Sequence, residues 1–404
     1  MTDPNQRIYL DNAATSFPKP PAVVEAVARY MTDPGAAPGR GAYAESRQAA
    51  KILARTRASL CRLIGGGSPE HLVFTLNTTD ALNLAIKGMI AREQRTNPGA
   101  PVHFVTTAMD HNSILRPFNA LARTPGVDWT CVPVDPQTGL VDPGEFAAAL
   151  RPNTLLAATL HASNVSGTVQ PIAELGERAH AAGVPFLVDA AQSLGHIAVD
   201  VDAMHIDLLA FPGHKGLLGP LGTGGLWIRP GLEDRLDPLR DGGTGSRSDL
   251  DTQPETLPDK FEPGSHNMPG IAGLGAGVDW ILERGLDAIR AHEERLMARF
   301  LVGIEPLERE GLLLLGPRDL DRRVGVFSVF SPHLRSLDAA AMLESEFGIL
   351  GRAGIHCAPR AHGAFGTLER EGAMRLSVSP FTTDADIDRA IEALLAVYAA
   401  PAKV

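Results

Sequence analysis

A lysine that lies between an apolar strand and a glycine-rich loop constrains this chain more than any other feature. Residues 208–211 are apolar and Pro212 and Gly213 follow them, which predicts a buried strand that ends just before His214 and Lys215. The next segment is rich in glycine and proline, so we expect backbone there to pass close to a ligand. A lysine amine in this position is a candidate for Schiff-base formation with a carbonyl cofactor, and a solvated loop lysine is the alternative.

A phosphate-binding pattern lies upstream. The segment 71–76 reads as a strand, Asn77 has the chemistry of a helix N-cap, and residues 81–90 have the pattern of a helix. Free backbone N–H groups, the hydroxyls of Thr78 and Thr79, and the helix dipole would together form a seat for a phosphate group.

An acidic residue ends another predicted strand. Residues 184–188 lead into Asp189, and Gln192 follows it. In open α/β sheets, ligands bind at the carboxyl ends of the strands. A carboxylate there would keep a pyridine nitrogen protonated, so that the ring can withdraw electrons from a substrate carbon. A phosphate seat, a ring acid and Lys215, in that order, indicate pyridoxal 5'-phosphate (PLP).

On these motifs, the chain resembles the cysteine desulfurase and selenocysteine lyase family, in the class V aminotransferase group of fold type I PLP enzymes. The resemblance runs from the Tyr-Leu-Asp-Asn-Ala-Ala-Thr motif within residues 8–16 to the Met-Arg-Leu-Ser motif at residues 374–377. It implies an α/β fold, with a large PLP-binding domain built on a mainly parallel seven-stranded sheet and a smaller α+β domain. The large domain would span residues 17–267, and the small domain residues 1–16 and 268–404.

The resemblance also assigns roles around the cofactor. Lys215 would hold PLP, and His111 would stack on its ring and relay a proton. From the residues alone, His111 could instead be a structural histidine at a strand end, and Asn164 an ordinary turn residue. Ser265 would reach the cofactor phosphate of a neighbouring subunit, which implies a homodimer with shared active sites. The remaining cofactor-binding residues implied by the resemblance are Thr78, Thr79, Asn164, Asp189, Gln192 and His214.

Cys357 is the residue that would distinguish the chemistry. It lies in a predicted loop between Gly354 and Pro359, with Arg352 and His356 nearby. Basic neighbours and exposure favour a reactive thiolate, and an inert loop thiol is the alternative. In the family, the residue at this place attacks the substrate sulfur and becomes a persulfide.

The implied reaction converts L-cysteine to L-alanine and transfers the sulfur to Cys357, from which an acceptor protein could take it. Arg352, Arg375 and Asn164 would bind the substrate, because an arginine pairs with a carboxylate through two parallel hydrogen bonds. Four enzymatic alternatives stay open: a PLP-dependent C–S lyase, a selenocysteine lyase, a class V aminotransferase acting on another amino acid, and an epimerase. A non-catalytic sulfur-carrier partner or scaffold on the same fold is a fifth.

Three positions depart from the family pattern or are unfamiliar. Pro212 stands where relatives have serine or threonine, so a hydroxyl and a backbone donor are missing from the phosphate site. His266 follows Ser265 where proline is common, and we hypothesise that it supplies a phosphate contact in place of the missing hydroxyl. His362 could be a second acid or a polar loop residue, and we expect the latter.

Composition excludes several other classes of protein. The net charge of −10, without a basic run, argues against nucleic acid as a partner. Three scattered cysteines, Cys61, Cys131 and Cys357, are too few for a disulfide framework or a CxxC metal site, so we expect reduced thiols in the cytoplasm and no metal. No apolar run has the length of a membrane span or the form of a secretory leader, so we expect neither export nor a membrane anchor.

Overall fold

The computed structural model describes residues 7–39, 41–244 and 246–399. Within these residues, the strands in chain order are β1 Ile8–Tyr9, β2 Leu72–Thr75, β3 Val102–Thr107, β4 Val127–Val132, β5 Thr154–Leu160, β6 Phe186–Asp189, β7 Leu208–Pro212, β8 Gly224–Ile228, β9 Leu313–Leu314, β10 Val326–Phe330, β11 Ile349–Leu350, β12 Arg352–Gly354 and β13 Ala373–Ser377. The α-helices are α1 Pro21–Thr32, α2 Ala44–Leu63, α3 Thr78–Thr96, α4 Asn112–Leu121, α5 Pro143–Ala149, α6 Ile172–Ala181, α7 Met268–Arg284, α8 Leu286–Gly303, α9 Glu305–Arg309, α10 Ser336–Phe347, α11 Pro359–Ala364 and α12 Asp384–Ala399.

The largest sheet has seven strands in the order β2-β8-β7-β6-β5-β3-β4. The pairs from β7 through β6, β5 and β3 to β4 are parallel, and β8 runs antiparallel to both β7 and β2. Every residue of β3, β5, β6, β7 and β8 is buried, as expected for a sheet with both faces covered. The predicted mainly parallel, seven-stranded sheet is confirmed.

Successive side chains of the central strands enter two different cores. Phe186 and Val188 of β6 pack in a core that includes residues of α2, α5, α6 and α7, whereas Leu187 packs in a core with residues of α3 and α4. This alternation follows from the two-residue period of a strand. The cores fix the sheet between two helical layers and leave the carboxyl ends of β5, β6 and β7 on one edge.

A smaller unit follows in the second half of the chain. Strands β12, β13, β10 and β9 form an antiparallel sheet, and β1 pairs in parallel with β11. Ile8 and Leu10 lie in the core of this unit, together with residues of α8, α10 and α12. The N-terminal strand therefore packs with the C-terminal part of the chain. The predicted α+β architecture is present.

The predicted domain boundary between residues 267 and 268 stays a prediction. Helix α7 begins at Met268, immediately after it, and packs against α1 and α2. Leu274 and Val278 of α7 belong to the same core as the large sheet.

Some predicted elements differ in their bounds. The helix expected at residues 81–90 begins earlier, at Thr78, because Asn77 caps it. The segment 286–309 forms two helices, α8 and α9, separated at Ile304. Pro306 explains the break, since proline lacks the N–H that continues a helix and clashes with the preceding turn.

Candidate active site

A pocket at the carboxyl ends of β5, β6 and β7 brings together most of the residues predicted from the sequence. Its lining also includes the N-terminal residues of α3 and residues beside the start of α4. Eight predicted cofactor-binding residues line it: Thr78, Thr79, His111, Asn164, Asp189, Gln192, His214 and Lys215. The lining does not include Ser265, Arg352, Cys357 or Arg375.

The peptide that precedes Lys215 is held by the N-terminal segment. The carbonyl oxygen of His214 accepts hydrogen bonds from the Ser16 backbone N–H at 3.0 Å and the Ser16 hydroxyl at 3.2 Å. It also accepts from the Thr15 hydroxyl at 3.1 Å and from Lys19 Nζ at 2.9 Å. Four donors on one carbonyl oxygen restrain the backbone from which the Lys215 side chain begins.

The electrostatics of Lys215 and Asp189 suit the predicted chemistry. Burial lowers the pKa of Lys215 to about 8, although the negative charge of Asp189 opposes this shift. Burial raises the pKa of Asp189 to about 6, opposed by a hydrogen bond from the Ala191 backbone N–H at 2.9 Å and by the charge of Lys215. The amine is therefore partly neutral near neutral pH. A nearby cation would favour the ionised form of the Asp189 carboxyl group.

His111 is a neutral imidazole with a defined tautomer. It is the N-cap residue of α4, and its Nδ1 accepts a hydrogen bond from the Ser113 backbone N–H at 3.1 Å. Burial, followed by the charge of Lys215, lowers its pKa to about 4. A neutral ring that accepts at Nδ1 carries its proton on Nε2. The Ser113 hydroxyl, 2.8 Å from Nδ1, also contacts the Thr79 hydroxyl at 2.9 Å, which links the imidazole to the start of α3.

The start of α3 has the features of an anion site. Asn77 caps the helix by accepting from the Asp80 backbone N–H at 3.0 Å, and the first N–H groups of any helix have no partner within it. His214 Nδ1 is buried without a hydrogen-bond partner in the part of the chain described. An amine, a carboxylate, an imidazole and a helix N-terminus around one pocket fit the phosphorylated pyridine aldehyde predicted from the sequence.

Arg375 lies behind this pocket and is already paired. Its side chain is 1% exposed, and its Nη2 donates to Asp11 Oδ1 at 2.6 Å. Its Nη1 donates to the backbone oxygen of Asn164 at 3.0 Å. Nε is buried without a partner among the described residues. Arg375 is thus fixed by two contacts beside pocket residue Asn164, and its Nε–H group remains for a ligand.

Cys357 is exposed, and its backbone is attached to the edge of the pocket. The Asn164 side-chain amide donates to the backbone oxygen of His356 at 2.6 Å. The Asn112 backbone N–H, next to His111, donates to the backbone oxygen of Cys357 at 2.8 Å. The structure therefore joins the Cys357 turn to two sides of the Lys215 pocket.

The expectation for His362 was wrong. Its side chain is 0% exposed and lies in α11 rather than in a polar loop. It contacts His356 on one side and Thr367 on the other. Nothing in the local sequence indicates this burial, because a six-residue helix is too short to show a clear pattern.

Ser265 and His266 lie at a different cavity of the same chain, which includes Gly264 and Asn267. His266 Nε2 contacts Glu262 Oε2 at 2.8 Å, and Glu262 is also paired with Arg57. The role of Ser265 at a neighbouring subunit's cofactor stays a prediction. The hypothesis that His266 supplies the phosphate contact missing at Pro212 also stays a prediction. For that contact, His266 would have to give up its contact with the Glu262 carboxylate.

Sequence reasoning gave no individual role to four residues of the site: Asp11, Ser16, Lys19 and Ser113. Ser113 had a usable signal, since a serine near a helix start often bonds to local backbone and side-chain groups. Asp11 lies in the motif within residues 8–16, but its contact with Arg375 and that of Lys19 with His214 join residues 364 and 195 positions apart, which no local pattern indicates.

Neither a metal cluster nor a membrane-spanning helix is found in the described ranges. Residues 7–39, 41–244 and 246–399 contain no group of three or more His, Cys, Asp or Glu side chains that could hold a metal ion. No helix in these ranges is both long and apolar enough to cross a membrane.

Comparison with known proteins agrees with the geometry. The aminotransferase class-V family model matches residues 8–390. A probable cysteine desulfurase of Methanothermobacter thermautotrophicus is 36% identical over 94% of this chain and 92% of the relative. A cysteine desulfurase of Dickeya dadantii is 34% identical over 96% and 92%.

Solved structures give the same result. The apo structure of a cysteine desulfurase from Thermococcus onnurineus has a TM-score of 0.89 and 33% sequence identity, and covers 98% of this chain and 95% of its own. The cysteine desulfurase CsdA from Escherichia coli, in an S-sulfonic acid form, has a TM-score of 0.83 and 26% identity, with coverage of 97% and 94%.

Proposed function

The chain belongs to the class V aminotransferase family and, within it, to the cysteine desulfurases, and we propose that it converts L-cysteine to L-alanine with transfer of the sulfur to Cys357. One observation carries the assignment of the sulfur acceptor. The backbone of the Cys357 turn is hydrogen-bonded to Asn164, which lines the Lys215 pocket, and to Asn112, next to His111.

We propose PLP as the cofactor because the residues around the pocket fit it. When bound, PLP would supply an aldehyde that reacts with amines and a ring that withdraws electrons from the substrate α-carbon. Lys215 is the amine that would hold it, and Asp189 would keep its ring nitrogen protonated. Asn164 and Gln192 would lie near its phenolic oxygen, and the phosphate would be bound by Thr78, Thr79 and His214 of one chain and Ser265 of the other.

Proton movements follow from the protonation states of two residues. The Lys215 amine, with its pKa lowered to about 8 by burial, can accept the substrate α-proton. His111 has an Nε2–H group in its neutral tautomer. It can donate that proton to the leaving group later in the reaction. Because Nδ1 of His111 is held by the Ser113 backbone N–H at 3.1 Å, the ring keeps one orientation.

The substrate carboxylate would be bound by Arg375 and Arg352, beside Asn164. The free Nε–H of Arg375 is available, while Nη2 is paired with Asp11. A carboxylate that makes the two parallel bonds typical of arginine must therefore share Nη2 with Asp11 or displace it.

The sulfur step balances without an external oxidant. The Cys357 thiolate forms a bond to the substrate sulfur, and the bond from that sulfur to the substrate β-carbon breaks. The electron pair of that bond remains on the carbon side, which becomes alanine after protonation. The enzyme keeps a persulfide, and either a reductant or an acceptor protein removes its outer sulfur.

Product analysis tests this function. With L-cysteine and a thiol reductant, the wild type should release alanine and sulfide in equal amounts. The Cys357→Ser variant should keep the visible absorbance of the bound cofactor and release neither product. Pyruvate in place of alanine would identify a C–S lyase, and unchanged alanine formation by the variant would exclude Cys357 as the acceptor.

We further propose a cytoplasmic homodimer that uses the Ser265 segment of each chain at the other chain's cofactor. Free thiols at Cys61, Cys131 and Cys357 support a reducing compartment. Size-exclusion chromatography with light scattering tests the dimer. Mixing Lys215→Ala with Ser265→Ala subunits tests the sharing, since one pocket of a mixed dimer would be free of both changes.

A further inference from the structure

The Cys357 turn has an unusual backbone conformation. His356 has φ = 52° and Cys357 has φ = 58°, so two consecutive residues with side chains occupy the left-handed region. Only a few per cent of non-glycine residues do so, and such conformations persist only where the surroundings enforce them. Something in this structure must therefore hold the turn.

A chain of buried side chains lies behind the turn. His356 Nε2 is 3.2 Å from the backbone oxygen of Arg352, and His356 Nδ1 is 3.3 Å from His362 Nε2. His362 Nδ1 is in turn 2.7 Å from the Thr367 hydroxyl. His356 is 4% exposed, His362 0% and Thr367 1%, so water does not compete for these bonds.

The direction of every hydrogen bond in this side-chain network follows from the Arg352 carbonyl group at one end. A carbonyl oxygen only accepts, so His356 Nε2 must carry a proton. Burial lowers the pKa of His356 to about 2 and that of His362 to about 4, so both rings are neutral. His356 Nδ1 is then an acceptor, His362 Nε2 must donate to it, and His362 Nδ1 must accept from Thr367.

The Cys357 turn is joined to the pocket by the backbone carbonyl groups of His356 and Cys357. Asn164 donates to the backbone oxygen of His356 at 2.6 Å, and the Asn112 backbone N–H donates to that of Cys357 at 2.8 Å. A peptide that rotated out of the left-handed region would move these oxygens away from their donors. The side-chain hydrogen bonds of His356 and the backbone bonds of the turn thus depend on each other.

We propose that His362 is a positioning residue for Cys357: by donating from Nε2 to His356, while its Nδ1 accepts from Thr367, it keeps the left-handed turn that holds Cys357 at the edge of the pocket. The inference rests on the proposed function, because it assigns Cys357 as the group to be positioned. His362 acts through His356 and does not itself contact cofactor or substrate.

Three variants separate the contributions of His362 and Thr367 to the position of the turn. His362→Leu removes the donor to His356. His362→Gln supplies an amide N–H in place of Nε2–H and should restore the contact. Thr367→Val removes the hydroxyl that donates to His362 Nδ1 and should have a smaller effect than His362→Leu.

A matched control exists in the large sheet. His103 is also 0% exposed and is also bound through both ring nitrogens, to the hydroxyls of Thr154 and Thr130 at 2.9 Å each. His103→Leu therefore removes a similar buried imidazole without touching the Cys357 turn.

Two readouts are measured on each purified holoenzyme. In His362→Leu, kcat for alanine formation should fall about tenfold or more, because small misplacements of a reacting group are costly. KM for L-cysteine and the cofactor absorbance should stay close to the wild type. Hydrogen–deuterium exchange should become faster in peptides that contain residues 355–358 and 111–113. His362→Gln should recover most of both properties, and His103→Leu should leave both unchanged at a temperature where it is folded.

The exchange measurement keeps this inference separate from the proposed function. If the wild type made no alanine, the function would fail, while exchange would still report on the turn. A His362→Leu variant with wild-type kcat and wild-type exchange overturns the inference. So does a loss of activity in His362→Leu that is shared by His362→Gln and His103→Leu, because that pattern indicates only general destabilisation.

Discussion

The two residues that we propose to react, Lys215 and Cys357, are held in different ways. Lys215 follows β7, a strand whose residues are all buried, and four donors fix the carbonyl oxygen before it. Cys357 lies on an exposed turn next to the small sheet, and its position depends on two backbone contacts and a chain of buried imidazoles. Lys215 is thus positioned by the end of a buried strand of the large sheet, whereas Cys357 is positioned by a few hydrogen bonds that single substitutions can remove.

This difference predicts that substitutions separate cofactor binding from sulfur transfer. Changes near the strand ends should alter the cofactor absorbance first, and changes around the small sheet should spare it. The expected effects range from loss of the reactive amine to removal of one hydrogen bond among four.

Lys215→Ala should have the largest effect. Without this amine, the cofactor cannot be held covalently and the substrate α-proton loses its base, so kcat for alanine formation should fall by at least about 10³-fold. The visible spectrum should change as well. Activity assays and absorbance spectra after cofactor reconstitution check this, and a Lys215→Ala enzyme with a wild-type spectrum would contradict the assignment.

Arg375→Lys should be the next most severe change, and it should act on substrate binding. Lysine cannot make two parallel bonds to a carboxylate and could not keep both hydrogen bonds with Asp11 and Asn164. We expect kcat/KM for L-cysteine to fall by an amount equivalent to about 2 kcal/mol, mainly through KM. The cofactor spectrum should remain. Steady-state kinetics alongside spectra would show whether the effect lies instead on the cofactor side.

Capture of PLP by the cofactor-free enzyme should depend on pH in a defined direction. Burial lowers the pKa of Lys215 to about 8, so the reactive neutral amine increases as the pH rises through that value. The rate of cofactor binding, followed by absorbance, should increase with a midpoint near this pKa. Asp189→Asn should move the midpoint lower, because the negative charge of Asp189 raises the pKa of Lys215. A flat profile or an upward shift would argue against this coupling between the two residues.

Lys19→Met should have the smallest effect. It removes one of four donors to the His214 carbonyl, at 2.9 Å, and the other three remain. A single hydrogen bond is worth about 1 kcal/mol, so the melting temperature should fall by only a few degrees and cofactor affinity by less than about tenfold. Lys51→Met, a substitution on the exposed surface of α2, is the control. If Lys19→Met lowered cofactor affinity by an amount equivalent to about 2 kcal/mol, as large as the effect expected for Arg375→Lys on kcat/KM, the N-terminal segment would have a greater role in positioning Lys215.

The sequence was most informative where local patterns decide the structure. The strand before Lys215 and the helix that Asn77 caps could both be predicted, because apolar runs, N-cap residues and proline act over a few positions. These elements also place their neighbours, so eight of the residues predicted to bind the cofactor line one pocket.

Long-range contacts could not be predicted in the same way. The bond between Arg375 and Asp11 joins residues 364 positions apart, and nothing in either local sequence indicates the other. His362 was misjudged for a related reason. Its burial arises from the packing of α11, whose Ala361 shares a core with Met109 and Leu160, and from its contact with His356, not from a periodic pattern. The residues around the Lys215 pocket could thus be predicted from local patterns, whereas the contacts of Lys19, Arg375 and His362 required the structure.

One measurement tests the transfer of sulfur to Cys357 most directly: intact-protein and peptide mass spectrometry after the enzyme has reacted with L-cysteine in the absence of reductant. We predict the added mass of one sulfur atom on the peptide that contains Cys357, removable by a thiol, with one alanine formed for each persulfide. Alanine formation with an unmodified Cys357, or a persulfide found on Cys61 or Cys131 instead, would contradict this assignment.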